Sequence, residues 1–308
     1  MTNSSHSNVL IIGGGCAGIS VASRLHSLKS DLNISIIEPS DKSLYQAAWT
    51  LVGAGAYDVG STIKQMSEVM PSYVKWIKEY AEEFMPETNS VKTNNGTYTY
   101  DFLVVCPGLK LNFDGVAGLK EHLGKNNVCT NYSAEMATYT WECLKNLDGG
   151  TLLFTEPPMP IKCAGAPQKI AYLAADHLKK KGKLNESHLE FLCAKPVIFG
   201  VPHFQGPLNE VCDSYGIKRS FQHNLISVDG NSKEAVFKQS DKDGNTKEVT
   251  KKFDFIHVTP PQTSPDFIKN SPLADSGGWV DVDHKVGTLR HTKFENIYSL
   301  GDVMNAPN

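Results

Sequence analysis

Two stretches of this sequence carry residues whose types and spacing could do chemistry. The first is Gly13-Gly14-Gly15-Cys16-Ala17-Gly18, a Gly-x-Gly-x-x-Gly pattern answered by Glu38, about 20 residues past the last glycine. Glycines at Gly13 and Gly15 let a chain turn tightly and bring its amides close to a pyrophosphate, which then rests at the start of the next helix. A carboxylate at Glu38 would accept hydrogen bonds from ribose hydroxyls, so the pattern points to a dinucleotide. The second stretch is IKCAGAPQKIAYLAADHL, Ile161 to Leu178. Cys163 stands beside Lys162 and just ahead of Pro167, a residue suited to a helix's first turn. A helix start and a neighbouring cation both favour thiolate over thiol, so a nucleophilic or redox-active cysteine is expected there.

Both stretches need strands and helices to hold them. Asn8 to Ile12 is a short apolar run, the glycines follow, and ISVASRLHSL has apolar residues at helical spacing, which reads as strand, turn, helix. A second apolar run, Ile34 to Ile37, ends at Glu38. A hairpin is expected with its turn at Asn94-Asn95-Gly96, and YTYDFLVVCPG follows, a buried strand with Pro107-Gly108 at its end.

The middle of the chain repeats this plan. TLLFT (Thr151 to Thr155) reads as a buried strand, Ile170 to Leu178 as a helix and HLEFLCA as a second strand, while FDFIHVTPPQ echoes the earlier YDFLVVCPGL. The sequence therefore implies an α/β chain of two similar units. The first spans 1–120 and is completed by 265–308, where a strand ends in Gly301-Asp302; the second spans 121–264. After its first strand the second unit has Glu156-Pro157-Pro158-Met159-Pro160 in place of a glycine pattern. Proline has no N–H to offer a pyrophosphate, so a nicotinamide donor is disfavoured.

Composition excludes several classes. The chain has 308 residues, 40% of them hydrophobic, which suffices for two cored units. Its 30 basic and 33 acidic residues leave a net charge of −3, without the basic excess that nucleic acid requires. Seven cysteines without a Cys-x-x-Cys pair fit neither a disulfide framework nor a zinc site. Cys16, Cys106, Cys143, Cys193 and Cys212 read as inert or buried, and Cys129 as a structural thiol or a second thiol of the site. The histidines show no metal spacing; His203 and His257 could shuttle protons, with a hydrogen-bonded structural role as the preferred reading of both. The run His177 to Lys183 reads as a charged helix end. No targeting signal or membrane span is read from the N-terminal residues.

GGGCAGISVASRL, IIEPSDKSLYQAAWTLVGAG, IKCAGAPQKIAYLAADHL, HVTPPQTSPDFIKNSPLADSGGWVDVD and NIYSLGDV together resemble sulfide:quinone oxidoreductases of the branch shared by mitochondria and some bacteria. The resemblance covers nearly the whole chain and implies a tandem Rossmann-like flavoprotein fold. It implies FAD held by Gly13, Gly15, Ala17, Gly18, Glu38, Pro107, Gly108, Gly301 and Asp302. It further implies hydrogen sulfide as electron donor, a membrane quinone (ubiquinone or menaquinone) as acceptor, and a small thiol or sulfite as sulfur acceptor. Cys163 is then the redox cysteine, with Cys129 as a further candidate. In that family sulfide attacks a cysteine–cysteine sulfur bridge, and the partner cysteine, the quinone site and the membrane anchor lie beyond the Gly-Asp motif. They have no counterpart in these 308 residues. The expected location is the face of the bacterial inner membrane or, alternatively, of the mitochondrial inner membrane. Two other readings stand beside this one: a type II NADH:quinone oxidoreductase, and a non-catalytic flavin-binding remnant.

Overall fold

A computed structural model describes residues 3–306. Met1, Thr2, Pro307 and Asn308, where the outer limits expected for the first unit fall, lie outside the described residues. The chain divides into two compact units, one of Met1–Leu44, Ile63–Lys110 and Thr263–Asn308, the other of Tyr45–Thr62 and Leu111–Gln262. The sequence ranges differ from this chiefly at two places, the return at Gln262/Thr263 falling within two residues of the expected 264/265. The first crossing comes at Lys110/Leu111, not near 120. Tyr45–Thr62, inside the range expected for the first unit, belongs with the second. The cause is local packing: Gly53 lies against Asn131, Thr140 and Ile170, and a side chain at Gly55 would meet the Trp141 ring at 2.3 Å.

The first unit is built on a seven-stranded sheet. Its central strand, Asn3–Ile12, is longer than the apolar run Asn8 to Ile12 suggests, because its polar start pairs with Gly96–Val105 from Asn3↔Gly96 onward. Parallel neighbours on the other side are Ile34–Ile37 and then Lys75–Ile77. Ile34, Ser35, Ile36 and Ile37 are all buried, as strands covered on both faces must be. Ser35 satisfies its hydroxyl within the sheet by accepting from Ser7 Oγ at 2.7 Å. The Asn94-Asn95 turn joins Ser90–Thr93 to Gly96–Val105 as an antiparallel pair, and the late strand Ile297–Ser299 adds in parallel beside Gly96–Val105.

The second unit has a five-stranded, wholly parallel sheet. Gly150–Glu156 is central, between Ser187–Cys193 and Phe255–His257; Lys218–Phe221 and Val128–Cys129 form the edges. A separate antiparallel sheet of His223–Asp229, Glu234–Ser240 and Thr246–Lys252 follows the polar turns at Gly230 and Gly244. The helix Ala166–Lys180 extends beyond the predicted Ile170 to Leu178 and buries Ile170, Ala171, Ala174, Ala175 and Leu178. These positions make one stripe at three- and four-residue spacing. At its end the charged run is paired locally: Lys180 to Asp176, Lys181 to Asp148 and Lys183 to Glu186.

His257 is a core residue and not a proton shuttle. It is wholly buried, with Nε2 at 3.1 Å from the Asn131 backbone nitrogen and 2.8 Å from that residue's side-chain amide. Burial pushes it from the ordinary 6.5 down to about 3. In the unfolded chain the same imidazole binds a proton near 6.5, so between those values the unfolded state holds more protons. Its stabilising contribution is therefore complete above pH 6.5 and is lost as the pH falls toward 3. Urea unfolding across pH 6.5 to 4.5 should show stability falling with a slope of up to about 1.4 kcal/mol per pH unit from this group alone. His257→Gln should lose that share of the slope; an unchanged slope would contradict the assignment.

Candidate functional site

The candidate cofactor site of the first unit lies at the carboxyl ends of its parallel strands, where doubly wound sheets bind ligands. Gly13 has φ +103°, and a Cβ there would sit 2.4 Å from the Cys106 carbonyl oxygen and 2.8 Å from Pro107 Cα. A Cβ on Gly18 would come within 2.0 Å of the Gly13 carbonyl oxygen. These two glycines are thus required by backbone packing, and that packing seats the helix Cys16–Leu28 at the end of the central strand. Gly15, the N-cap, faces open space, as a residue that receives a ligand should.

Glu38 ends the second strand. One of its oxygens accepts from the Gly14 N–H at 2.8 Å and the other from the Ser40 N–H at 2.8 Å. A carboxylate has about four acceptor positions, so capacity for ribose hydroxyls remains. Gly301, with φ +80°, places its side-chain direction 3.5 Å from Ala17 Cβ. Gly13, Gly15, Ala17, Gly18, Glu38, Pro107 and Gly301 are accordingly brought to one end of the sheet, with Gly108 and Asp302 as the next residues of their loops. This cradle fits the pyrophosphate and ribose of FAD. Cys16, the first residue of the helix, is exposed there.

The second unit uses the same strand plan with different residues at the same places. Val9 pairs with Phe102 as Leu152 pairs with Phe255, so the register sets Ile12 against Thr155 and Gly13 against Glu156. On the other side Ile12 pairs with Ile37 as Thr155 pairs with Leu192, which sets Glu38 against Cys193. The position of the tight-turn glycine is thus a buried carboxylate, ion-paired with Lys195. Burial raises the Glu156 carboxyl above its usual range, against the opposing pull of Lys195. The position of the ribose acid is a buried thiol that burial pushes up to about 12. Neither residue is of the type that the first unit places there, and Pro157, Pro158 and Pro160 have no N–H to offer.

Cys163 is exposed on the loop that follows, at φ +64°, a left-handed conformation uncommon for a residue with a Cβ. Its carbonyl accepts from the Ala166 N–H at 3.0 Å, which starts the helix Ala166–Lys180. Two glutamines fix the loop from within. Gln262 Oε1 accepts from the Lys162 N–H at 2.6 Å, and Gln168 donates to the Ile198 carbonyl while its Oε1 accepts from Tyr172 at 3.0 Å. Lys162 is itself buried, so its side chain is not a solvent-borne cation beside the thiol. Both glutamines lie in the quoted motifs, but the sequence alone gives them no role.

Cys129 has a different setting. It is fully buried on an edge strand among the aliphatic and aromatic residues of the second unit's core. Burial raises its thiol well above the usual range, and Cys143 and Thr140 are its polar neighbours. A thiol so placed is withheld from solvent, which favours its structural reading over the catalytic one. Cys106, Cys143, Cys193 and Cys212 are buried as expected.

Comparisons with known proteins bear on the family and the fold. Residues 7–140 match the family model "Pyridine nucleotide-disulphide oxidoreductase". The mitochondrial sulfide:quinone oxidoreductase of Mus musculus is 39% identical over 99% of this chain and 67% of its own length. That of Dictyostelium discoideum is 44% identical over 97% of this chain and 66% of its own length. The Schizosaccharomyces pombe protein is 32% identical over 99% and 70%. The chain thus spans about two thirds of the length of these relatives. Among solved structures, the sulfide:quinone oxidoreductase of Aquifex aeolicus superposes with a TM-score of 0.81 at 23% identity, covering 98% of this chain and 69% of that one. The NDH2 of Plasmodium falciparum in complex with NADH gives 0.69 at 13%, covering 97% and 64%. The fold is that of the two-unit flavoproteins, and FAD is its cofactor. By identity over nearly its whole length the chain belongs to the sulfide:quinone oxidoreductase family.

Proposed function

We propose that this chain oxidises hydrogen sulfide to sulfane sulfur and passes two electrons to a membrane quinone, with Cys163 as the sulfur-bearing residue. One observation carries the reading: where a nicotinamide-using unit would present a glycine loop, the second unit fills that place with Glu156 and Lys195 and exposes a single thiol on a pinned loop. FAD, when bound, supplies the two-electron acceptor. The first unit's residues hold it: the Gly13 and Gly15 backbone admits the pyrophosphate, Glu38 takes the ribose, and the loops at Pro107-Gly108 and Gly301-Asp302 close round it.

The chemistry at Cys163 balances without a further oxidant. Thiolate and hydrosulfide join as Cys163–S⁻ + HS⁻ → Cys163–S–S⁻ + H⁺ + 2e⁻, a two-electron oxidation for which FAD, if bound by the first unit, would supply the acceptor and quinone the final oxidant. Transfer of the outer sulfur to a small thiol or to sulfite restores the thiolate. Exposure of Cys163 suits both halves, because sulfide must reach it and the acceptor must remove the product. Cys129, buried in the core, is assigned no step.

The relatives covering the chain are named as mitochondrial, which favours the mitochondrial inner membrane over the bacterial one. Among the described residues no helix is long and apolar enough to cross a membrane.

The purified chain should be yellow, its flavin absorbance should bleach on anaerobic addition of sulfide, and a short-chain quinone should restore it. Cys163→Ser should keep the flavin and lose the bleaching by about 100-fold or more, as removal of a nucleophile does. Equal bleaching by the variant would overturn the cysteine assignment, and faster bleaching by NADH than by sulfide would favour the NADH reading. Gly13→Ala, which would drive a Cβ into the Cys106 carbonyl, should be isolated with little FAD, and Glu38→Gln should retain FAD more weakly than the wild type. Flavin content per chain after gel filtration checks both.

A further inference from the structure

Two thiols of the second unit that the sulfide chemistry leaves unused belong to one packing layer. Cys129 ends the edge strand Val128–Cys129, and Cys143 lies in the last turn of the next long helix, Ala134–Asn146. Strand alternation fixes the side toward which Cys129 points. Val128 packs with Leu153 and Ile256 on one face of the sheet, whereas Cys129 packs with Leu152 and Phe154 on the other, in the cluster that also holds Cys143 and Leu144 of the helix. Both cysteines are free thiols, Cys129 fully buried and Cys143 8% exposed.

Two hydrogen bonds set the register of helix against strand. Thr140 Oγ1 donates to the Thr130 carbonyl at 3.0 Å, and the Asn127 N–H donates to the Tyr139 hydroxyl at 3.2 Å. Cys143 is three residues past Thr140 and four past Tyr139, so it shares their helix face. The helix connects Val128–Cys129 to Gly150–Glu156, both parallel to Phe255–His257, and must therefore run back antiparallel to them. One turn on from Thr140 is about 4.5 Å along the helix, a little more than one residue back along the strand, which sets Cys143 beside Cys129. A threonine side chain is short, so its bond to a strand carbonyl also draws the two backbones into the span that a pair of cysteines can bridge. In this pairing the hydrogen bond from Cys129 holds the Cys143 thiol below its ordinary range, with Tyr139 adding to the effect, while burial holds Cys129 well above. Solvent approaches from the Cys143 side: with Asn127, Tyr139, Glu142, Asn146 and Leu147, Cys143 lines a surface groove of about 280 Å³.

We infer that Cys143 and Cys129 form an oxidation site for peroxide, in which Cys143 at the groove is the attacking thiol and Cys129 behind it the resolving one, closing a disulfide between helix and strand. The inference stands apart from the reading of Cys163. The first step is Cys143–S⁻ + H₂O₂ + H⁺ → Cys143–SOH + H₂O: the peroxide O–O bond breaks as S–O forms, sulfur gives up two electrons, and the departing oxygen takes the proton and leaves as water. The second is Cys143–SOH + Cys129–SH → Cys143–S–S–Cys129 + H₂O, in which S–O breaks as S–S forms and the Cys129 proton leaves with the hydroxyl. Burial of Cys129 does not hinder its part, because it meets only Cys143. A reachable thiol with a resolving neighbour stops at the disulfide and is spared the irreversible rungs of sulfur oxidation.

The test uses the full chain and does not depend on turnover. Cleavage after Lys125 and Lys145 releases residues 126–145 as one peptide that contains both cysteines and no other. The folded chain is treated with hydrogen peroxide until Cys163 is oxidised, the remaining thiols are alkylated in urea, and the digest is read by mass spectrometry without reduction. The 126–145 peptide should appear two hydrogens lighter and free of alkyl groups, in yield on the order of 10-fold above any disulfide of the buried Cys106, Cys193 or Cys212, whose thiols burial keeps protonated. A small dithiol should reverse it. Cys129→Ser should leave Cys143 as a sulfenic acid that dimedone traps, Cys143→Ser should leave Cys129 unoxidised, and Cys163→Ser, given the same peroxide dose, should close the disulfide as the wild type does. Full alkylation of both cysteines in the wild type would overturn the site without reliance on any variant's folding. Equal trapping of sulfenic acid at Cys129 in Cys143→Ser and at Cys143 in Cys129→Ser would overturn the division of roles.

Discussion

The second unit depends on one placement, a buried carboxylate where the first unit has a glycine. At Gly13 the absence of a Cβ lets the chain pass within contact of the Cys106 carbonyl and leaves the crevice at the strand ends free. At Glu156, in the same register, stands a buried charged side chain, which requires a counter-ion. Lys195, two residues past the next strand's end, supplies it. A buried ion pair adds little net stability, because desolvation of both ions offsets their attraction. What it does is tie the end of the central strand to the loop after its neighbour. The two units thus share strand order while differing in what their sheet ends can receive.

The loop after Glu156 differs accordingly. Freed from cradling phosphate, the segment between Glu156 and Ala166 carries prolines, which stiffen it, and one cysteine, which it exposes. Cys163 adopts a left-handed backbone conformation, which costs about 1–2 kcal/mol for a residue with a Cβ. Surrounding structure must supply that energy, and two buried glutamines do so, one from each flanking motif. Gln262 holds the loop at Lys162, and Gln168 holds the first turn of the helix at Ile198. Strain kept at an exposed thiol and braced on both sides fits a residue whose direction matters more than its comfort.

Much of this was legible in the residues. The glycine spacing, the answering Glu38 and the echo between YDFLVVCPGL and FDFIHVTPPQ identify two similar units, because backbone approach and strand periodicity depend on residue type at fixed intervals. The extent of Asn3–Ile12 was not legible, since Asn3 to Asn8 is polar and owes its strand state to pairing with Gly96 to Asp101, about 90 residues away. The attachment of Tyr45–Thr62 to the second unit was hidden for the same reason: it rests on Gly53 and Gly55 packing against residues distant in sequence. The flavin-site glycines were readable from motif alone, whereas Glu156, Lys195, Gln168 and Gln262 gain meaning only once strand register brings them together. Cys129 and His257 show the converse. Each is a residue type capable of chemistry, and burial is what withholds it from solvent.

The register also explains why burial falls on Cys129 and exposure on Cys163. Val128–Cys129 pairs with Ile256 and His257, just as Ile297–Ser299 pairs with Leu103 to Val105 in the first unit. In the first unit the chain leaves that edge strand through Gly301-Asp302, at the mouth of the cofactor site. In the second it leaves through Asn131-Tyr132 into Ser133, which caps the helix Ala134–Asn146 by accepting from the Met136 N–H at 3.2 Å. Cys129 is therefore inside the strand, where parallel pairing and the helix cover it from both sides. Tyr132, past the strand's end, reaches the same end of the sheet as the Cys163 loop. Equivalent topology thus fixes which of two cysteines is open to solvent, and it does so through position along a strand and not through any intrinsic property of the thiol.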